Sequence, residues 1–372
     1  MRSRPEAEFL KALAVGNPYC LDRNLIQQLD PVRLRAVARR HQIDALCYWR
    51  WTQLRPSAPH SSLFSACDDL ISSFRDSYCH FLARNDSIKS DLSLLADSMA
   101  SHSVPFLVLK GPWLTFAAYP DPGTRSMDDL DLCIHEDDYS AAIQALLEAG
   151  YLPAHTLPKN GPAALAHAHY RQQLRFVRAA SRPVELHFRL LNMGPIREVE
   201  HWVWNSTRPL SVGRCTLRVP GPEAMLLHLL IHCNQHGFSI LRLLHDIHFA
   251  IARDNTILSW ISLIERVRSL RCSTSVFYSL LLTQELTPCK IPCTVFQMLH
   301  PGSARRLLFE LVWRLGAVRQ LDARLRKRCL EAPIYYLLEM GRFRDKVGYS
   351  SLLLANLLRE LYHRLVPRRT FV

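Results

Sequence analysis

The sequence predicts an α+β protein in which a small mixed sheet with its helices is flanked by N-terminal and C-terminal helical regions. Apolar residues recur with helical periodicity through residues 1–100 and again after Pro222, as in "RLRAVARRHQIDALCYWRW" and "EAMLLHLLIHCNQHG". Between these regions, short β-branched and aromatic runs end at turn residues, which is typical of strands. We therefore expect an N-terminal helical region at 1–100, an α/β core at 101–220 and a C-terminal helical domain at 221–372.

The N-terminal region reads as helices joined by loops. Proline and serine in "RPSAPHSS" mark a loop, and "SDLSLLADSMASH" continues the helical pattern after it. The core then opens with "VPFLVLKG", which reads as a buried strand that ends at Gly111. Pro112 fits the first turn of a following helix, where its missing N–H is not needed.

The next elements of the core are a turn, a strand and a helix. "PDPGTR" has turn composition and "DLDLCI" alternates as a second strand. Asp137 or Asp138 can cap a helix over "YSAAIQALLEA", and Gly150 is placed to end it. Further strands are expected in "QQLRFVRA", "PVELHFRL" and "CTLRVP".

Composition restricts the class of protein. The longest apolar stretches are interrupted well before the roughly 20 residues that a membrane span needs, so we expect no transmembrane helix. The acidic residues near the N-terminus argue against a signal peptide. Eleven scattered cysteines, an odd number without framework spacing, indicate a reduced, cytoplasmic protein.

The formal net charge of +13 raises the question of nucleic-acid binding. Much of the excess lies between Arg305 and Arg328, where basic residues alternate with leucines at helical spacing. This pattern favours the solvated side of an amphipathic helix over a nucleic-acid patch, since no binding motif accompanies it.

Carboxylates on two expected strands are the main candidates for chemistry. Side chains alternate along a strand, so Asp129 and Asp131 share one face, and Glu185, His187 and Arg189 share a face of a later strand. Paired carboxylates repel each other unless a cation lies between them, and oxygen ligands favour Mg²⁺ or Mn²⁺. A lone Asp-x-Asp is also common on solvated strand ends. The order of elements favours a metal site suited to phosphoryl or nucleotidyl transfer. A strand is followed by Lys-Gly, a helix, a turn, the Asp-x-Asp strand and then a strand with a further carboxylate.

This order resembles the DNA polymerase beta-like nucleotidyltransferase superfamily, in particular the bacterial uncharacterised nucleotidyltransferases. The resemblance rests on "LVLKGPWLTFAAYPDPGTRSMDDLDLCI", "AIQALLEAGY", "VELHFRL" and "PEAMLLHLLIHCNQHGFSILRLLHDIHFAI". It implies a nucleotidyltransferase-type core that transfers NMP from an NTP to a hydroxyl or phosphate acceptor and releases pyrophosphate, with Mg²⁺ or Mn²⁺ as cofactor and the NTP as co-substrate. The acceptor stays open among a small molecule, a peptide, a protein and RNA.

The resemblance also implies roles for individual residues. Asp129, Asp131 and Glu185 are the expected catalytic residues and metal ligands. Contacts to the nucleotide are expected from Lys110, Gly111, Arg125 and His187. The chain departs from the pattern of the wider superfamily at two positions. Pro112 stands where a serine or glycine is usual, and the third acid is a glutamate where aspartate is commoner.

Histidines at helical spacing form a second candidate feature. His228, His232 and His236 are spaced i, i+4 and i+8 and form one polar stripe. They are either half-buried histidines at a helix interface or, as the resemblance implies for His228 and His232, residues that line the cleft. Asp246 is expected to orient one of them or the acceptor.

Two alternative functions remain open on the sequence. In the first, the core is catalytically inactive and the protein binds nucleic acid or a partner, which the basic C-terminal residues and the missing serine after Gly111 favour. In the second, the same site transfers a phosphoryl group from ATP and the protein is a kinase.

Overall fold

The computed structural model describes residues 5–16, 23–54, 62–155, 157, 173–191 and 196–302. The basic segment from Arg305 to Arg328 and the rest of the predicted C-terminal domain beyond residue 302 lie outside the described residues. The predicted division into three domains therefore stays a prediction.

Helices dominate the part of the chain that the structure describes. They are α1 (Pro5–Val15), α2 (Arg23–Gln27), α3 (Pro31–Arg40), α4 (Asp44–Leu54), α5 (Ser62–Ser101), α6 (Lys110–Trp113), α7 (Tyr139–Glu148), α8 (Ile196–Asn205), α9 (Pro222–Gln235), α10 (Leu241–Asp254), α11 (Trp260–Ser269), α12 (Ser273–Leu286) and α13 (Cys293–Leu299). Within these described segments, the structure shows no helix with the length and apolar character that crossing a membrane requires.

Five short strands form one mixed sheet in the order β1-β2-β5-β4-β3. They are β1 (Phe106–Val108), β2 (Leu130–Ile134), β3 (Leu152–Pro153), β4 (Gln173–Val177) and β5 (Val184–His187). The β2–β5 pair is parallel and the other neighbours are antiparallel. The predicted α+β class with a small mixed sheet between helical regions is confirmed.

The central strands β2 and β5 differ in burial. All five residues of β2 are buried. In β5, Val184 and Leu186 are buried while Glu185 and His187 are half-buried. The alternation expected for "PVELHFRL" is therefore present, and it turns Glu185 and His187 to the same face.

The strand expected in "CTLRVP" is confirmed as Cys215–Val219, which pairs with Arg208–Val212 in a separate two-stranded sheet. The predicted helix cap needs correction. Asp138 is the N-cap residue of α7, yet its side chain makes no capping hydrogen bond, because a 3₁₀ turn over Glu136–Asp138 precedes the helix. At the other end Gly150 has φ 82°, in the left-handed region that a glycine adopts without strain.

The N-terminal and C-terminal regions contact each other directly. His41, just after α3, accepts a hydrogen bond from the Leu241 backbone N–H through Nδ1, at 3.3 Å. Its carbonyl oxygen accepts a bond from the Arg242 N–H at 3.2 Å. These bonds satisfy two of the free N–H groups at the start of α10. One continuous hydrophobic core extends from α1 to α13.

Candidate active site

The sheet register brings Asp131 and Glu185 together. They are directly paired across the parallel strands β2 and β5. Side chains at paired positions of adjacent strands lie on the same face of a sheet, so the two carboxyl groups face the same space. Asp131 is only 1% exposed, whereas Glu185 is half-buried.

Two cationic or polar side chains hold Asp131. His187 Nε2 lies 2.8 Å from Asp131 Oδ1, and Lys110 Nζ lies 3.3 Å from Oδ2. Oδ2 is buried and accepts no hydrogen bond from the described residues. One oxygen of Asp131 is thus oriented by an imidazole, and the other has only the Lys110 ammonium beside it.

Strand β4 supplies support for Glu185 that the sequence did not reveal. Gln173 Nε2 donates to Glu185 Oε2 at 2.8 Å, and Arg175 Nη1 donates to Oε1 at 3.3 Å. Arg175 is directly paired with Glu185 across β4 and β5. The alternation of "QQLRFVRA" could show that Gln173 and Arg175 share a face, but not which strand they pair with.

The structure groups three possible metal ligands. Asp131, Glu185 and His187 each offer one ligand atom, and these atoms all lie within 4.8 Å of one another. The sequence-based set of Asp129, Asp131 and Glu185 differs, because Asp129 immediately precedes β2 and is not in that group. His187 lies among these candidate ligands, and its expected contact with the nucleotide stays a prediction.

Charge and burial act differently on the three carboxyl groups. Burial opposes ionisation of Asp131, but Lys110 and His187 outweigh it and hold the pKa of this carboxyl below its usual range. Burial, together with repulsion from Asp131, raises the pKa of Asp129. Burial and then repulsion from Asp129 and Asp131 likewise raise the pKa of Glu185. The site therefore concentrates more negative charge than its own cations neutralise.

Gly111 lies at the start of α6, close to the segment that leads to Asp129. A Cβ at Gly111 would lie 3.1 Å from Met127 Sδ and 3.7 Å from the Asp129 carbonyl oxygen. A glycine therefore lets α6, and with it Lys110, pack closely against this segment. The expected contact of Gly111 with the triphosphate stays a prediction.

Arg125 and Asp246 bind each other in the structure. Arg125 Nε and Nη2 donate to the two oxygens of Asp246 at 2.8 and 3.1 Å. The Tyr119 hydroxyl and Arg242 Nη1 also donate to Asp246, at 2.7 and 3.0 Å. Arg125 is 4% exposed and Asp246 is 2% exposed. The predicted roles of Arg125 toward phosphate and of Asp246 toward the acceptor stay predictions, and the observed role is a buried ion pair.

The histidines of α9 lie near Lys110. His228 and His232 are half-buried. His228 Nδ1 lies 3.0 Å from the Leu190 carbonyl oxygen, and its Nε2 is buried without a hydrogen-bond partner among the described residues. Burial, reinforced by the charge of Lys110, lowers the pKa of His228 to about 3. The same causes lower the pKa of His232. Both are therefore neutral at physiological pH.

Two solved structures are similar to part of the chain. One is the solution structure of the antibiotic-resistance factor ANT(2'')-Ia, with 13% identity and a TM-score of 0.35 over 54% of this chain and 97% of that one. The other is the crystal structure of an antigenic nucleotidyltransferase-like protein from Paracoccidioides brasiliensis, with 15% identity and a TM-score of 0.33 over 58% and 97%. No curated protein matches the chain significantly.

A family model matches most of the chain. The family is described as uncharacterised nucleotidyltransferase, and the match covers residues 27–288. This span runs from the end of α2 through α12 and includes the candidate site on β2 and β5. The chain belongs to the uncharacterised nucleotidyltransferase family.

Proposed function

We propose that the protein is a divalent-metal-dependent nucleotidyltransferase that transfers NMP from an NTP to a hydroxyl or phosphate acceptor and releases pyrophosphate. The observation that carries this proposal is the pairing of Asp131 with Glu185 across adjacent parallel strands, with Asp129 just before the first of them. Membership of a nucleotidyltransferase family supports it.

The residues at this site fit a divalent cation. Asp131 Oδ2 is buried without a hydrogen-bond donor, and the pKa values of Asp129 and Glu185 are raised by burial and mutual repulsion. Asp131 Oδ2 has only the Lys110 ammonium beside it, 3.3 Å away, and the raised pKa values indicate negative charge at Asp129 and Glu185 that the neighbouring cations do not fully offset. Carboxylate oxygens from Asp129, Asp131 and Glu185 suit Mg²⁺ or Mn²⁺. When bound, the cation would neutralise the triphosphate and favour attack on the α-phosphorus.

Glu185 is the proposed general base. Burial and repulsion from Asp129 and Asp131 raise the pKa of Glu185, which makes its carboxylate a better proton acceptor. The acceptor oxygen forms a bond to the α-phosphorus, the bond from that phosphorus to the bridging oxygen breaks, and pyrophosphate leaves. Glu185 takes the proton that the acceptor hydroxyl loses.

Lys110 and His187 complete the proposed machinery. Lys110 Nζ already lies 3.3 Å from a carboxylate oxygen, so its ammonium is placed to contact phosphate oxygens that approach the same site. The imidazole of His187, 2.8 Å from Asp131 Oδ1, fixes the orientation of that carboxylate. A ligand held in this way loses less entropy when it binds.

Calorimetric titration of the full chain with ATP, CTP, GTP and UTP in the presence of Mg²⁺ tests the proposal. We expect at least one nucleotide to bind the native protein and none to bind Asp131→Ala, because that substitution removes the central carboxylate. Asp137→Ala is the matched control, since Asp137 is an exposed carboxylate of the same acidic run. Equal binding by the native protein and Asp131→Ala would contradict the proposal.

A further inference from the structure

A small cleft lies beside the segment that leads into β2. Its volume is about 310 Å³, and its lining includes Arg39, Asp44, Ser77, Phe81, Ser126 and Asp128. This volume is at the lower end of the roughly 300–1,000 Å³ that small-molecule sites occupy. The cleft is bounded by the α3–α4 corner, by α5 and by the loop before β2, and it does not include the candidate metal ligands.

Asp44 is the unusual residue of this cleft. It is the first residue of α4 and is only 3% exposed. No hydrogen bond or ion pair joins its carboxylate to the described residues, and its oxygens keep some exposure, which makes them accessible from the cleft. A carboxylate without a partner among the described residues can accept a hydrogen bond from a donor group on a ligand.

The charge of the lining favours a cationic ligand. Asp44 and Asp128 contribute two carboxylates and Arg39 contributes one guanidinium, in a chain whose formal net charge is +13. Asp44 is buried in the wall, while Asp128 and Arg39 are exposed. A protonated amine that enters the cleft would thus gain a charge-assisted hydrogen bond to Asp44.

The remaining lining provides contacts for an uncharged part of the ligand. Ser77 and Phe81 are spaced i, i+4 and lie on one face of α5, where both are half-buried. Ser126 is buried, and its hydroxyl oxygen has no hydrogen-bond partner among the described residues. The cleft therefore combines an aromatic surface with unsatisfied polar groups, as small-molecule sites do.

The position of the cleft relates it to the proposed chemistry. Ser126 and Asp128 form part of its wall, and Asp129 follows Asp128 directly, with Cα atoms about 3.8 Å apart. A ligand in the cleft therefore lies beside the segment that carries one of the proposed metal ligands.

We propose that this cleft binds the acceptor, and that the acceptor is a small molecule with a protonated amine near the hydroxyl that receives the nucleotidyl group. The identification of the cleft as an acceptor site rests on the proposed function. The binding of small hydroxyl-bearing amines by the cleft is independent of that function.

Ligand-observed NMR on the full chain tests the cleft. The probes are ethanolamine, serinol and glucosamine, each compared with its neutral N-acetyl derivative. We expect at least one amine to bind more tightly than its derivative, and Asp44→Asn to weaken that binding by at least about tenfold, because one charge-assisted hydrogen bond is lost. Ser77→Trp, which fills the cleft, should abolish it. Asp76→Asn, an exposed carboxylate next to Ser77 and outside the cleft, is the control and should bind as the native chain does.

The proposal is overturned if no amine binds better than its N-acetyl derivative, or if Asp44→Asn and Ser77→Trp bind as the native chain does. Thermal unfolding of each variant checks that it folds. Calorimetry of the native chain with Mg²⁺ and each NTP, run in parallel, separates the two proposals. Amine binding without NTP binding would contradict the nucleotidyltransferase proposal and with it the acceptor role, but not amine binding by the cleft. NTP binding without amine binding would contradict the acceptor site alone.

Discussion

The two aspartates of the Asp-x-Asp pair have opposite electrostatic environments. Asp131 has a lowered pKa, so its charge stabilises the folded state above the pKa of an unfolded aspartate, and this stability is lost as the pH falls through the folded value. Asp129 has a raised pKa, so its contribution to stability is present below the unfolded pKa and is lost as the pH rises through the folded value. At neutral pH, therefore, ionised Asp131 stabilises the fold and ionised Asp129 destabilises it.

Neutralising each aspartate should consequently move the melting temperature in opposite directions. Without divalent cations at neutral pH, we expect Asp131→Asn to melt below the native protein and Asp129→Asn to melt above it. Both variants should gain less stability from Mg²⁺ than the native protein does, because a ligand that binds only the folded state stabilises it in proportion to its affinity and each variant lacks one proposed ligand. Thermal unfolding with and without Mg²⁺ measures this. Shifts of the same sign in both variants would contradict the electrostatics described above.

The raised pKa values also predict a pH dependence of metal binding. Asp129 and Glu185 must lose their protons to act as ligands, so Mg²⁺ affinity should rise as the pH increases from about 4 towards neutrality. Asp129→Asn removes a negative charge that raises the pKa of Glu185, so Glu185 should lose its proton at a lower pH. The remaining Mg²⁺ affinity of this variant should therefore begin to rise at a lower pH than that of the native protein. Mg²⁺ titrations across this range measure the midpoint. An unchanged midpoint would show that Asp129 and Glu185 do not interact.

At the scale of elements, one buried cluster connects three parts of the chain. Asp246 on α10 binds Arg125 and Tyr119 from the core, and Arg242 on the same helix binds both Asp246 and Gln42. Gln42 lies between α3 and α4 and has φ 54°, so the connection reaches the N-terminal region. Arg125 is four residues before Asp129, and the cluster therefore anchors the segment that approaches the site.

Breaking this cluster should affect both stability and the site. Asp246→Asn leaves the buried Arg125 guanidinium without its counter-charge, which should cost about 3–5 kcal/mol of the free energy of unfolding. It should also weaken binding of Mg²⁺ and NTP, because the segment before Asp129 loses its anchor. Denaturant unfolding and calorimetry measure the two effects.

Asp254→Asn provides a matched control on α10. It breaks the bidentate pair with Arg208, whose side chain is 21% exposed, so its cost in stability should be smaller. Arg208 stacks over Trp113 of α6 and, among the described residues, does not contact the segment before Asp129 through a hydrogen bond, so nucleotide binding should fall less than in Asp246→Asn. Equal loss of nucleotide binding in both variants would show that destabilisation alone, rather than the anchor, weakens the site.

The sequence predicts features that depend on neighbouring residues, and it does not predict contacts between residues that are far apart in the chain. Alternation along a strand is a local pattern, so the shared face of Glu185 and His187 could be foreseen. The Arg125–Asp246 pair joins residues 121 positions apart, and nothing in the local pattern indicates it. The hydrogen bonds of Gln173 and Arg175 to Glu185 depend on the register between β4 and β5, which the sequence does not specify.

At the scale of the whole molecule, the fold encloses an acidic site within a basic chain. The formal net charge of +13 favours the approach of a polyanion such as an NTP, while the carboxylates of β2 and β5 would repel a triphosphate unless a cation lay between them. Contacts between His41 and α10 hold the N-terminal helices against the C-terminal region. The family match, which begins at residue 27, includes these N-terminal helices.

The most direct test of the central claim follows which phosphate of the nucleotide is transferred. The full chain is incubated with Mg²⁺ and cell extract, together with NTPs labelled at either the α- or the γ-phosphate. We predict that the α-label passes to an acceptor with release of pyrophosphate, and that Asp131→Ala abolishes this transfer. Transfer of the γ-label alone, as a kinase would produce, or α-label transfer that persists in Asp131→Ala would contradict the claim.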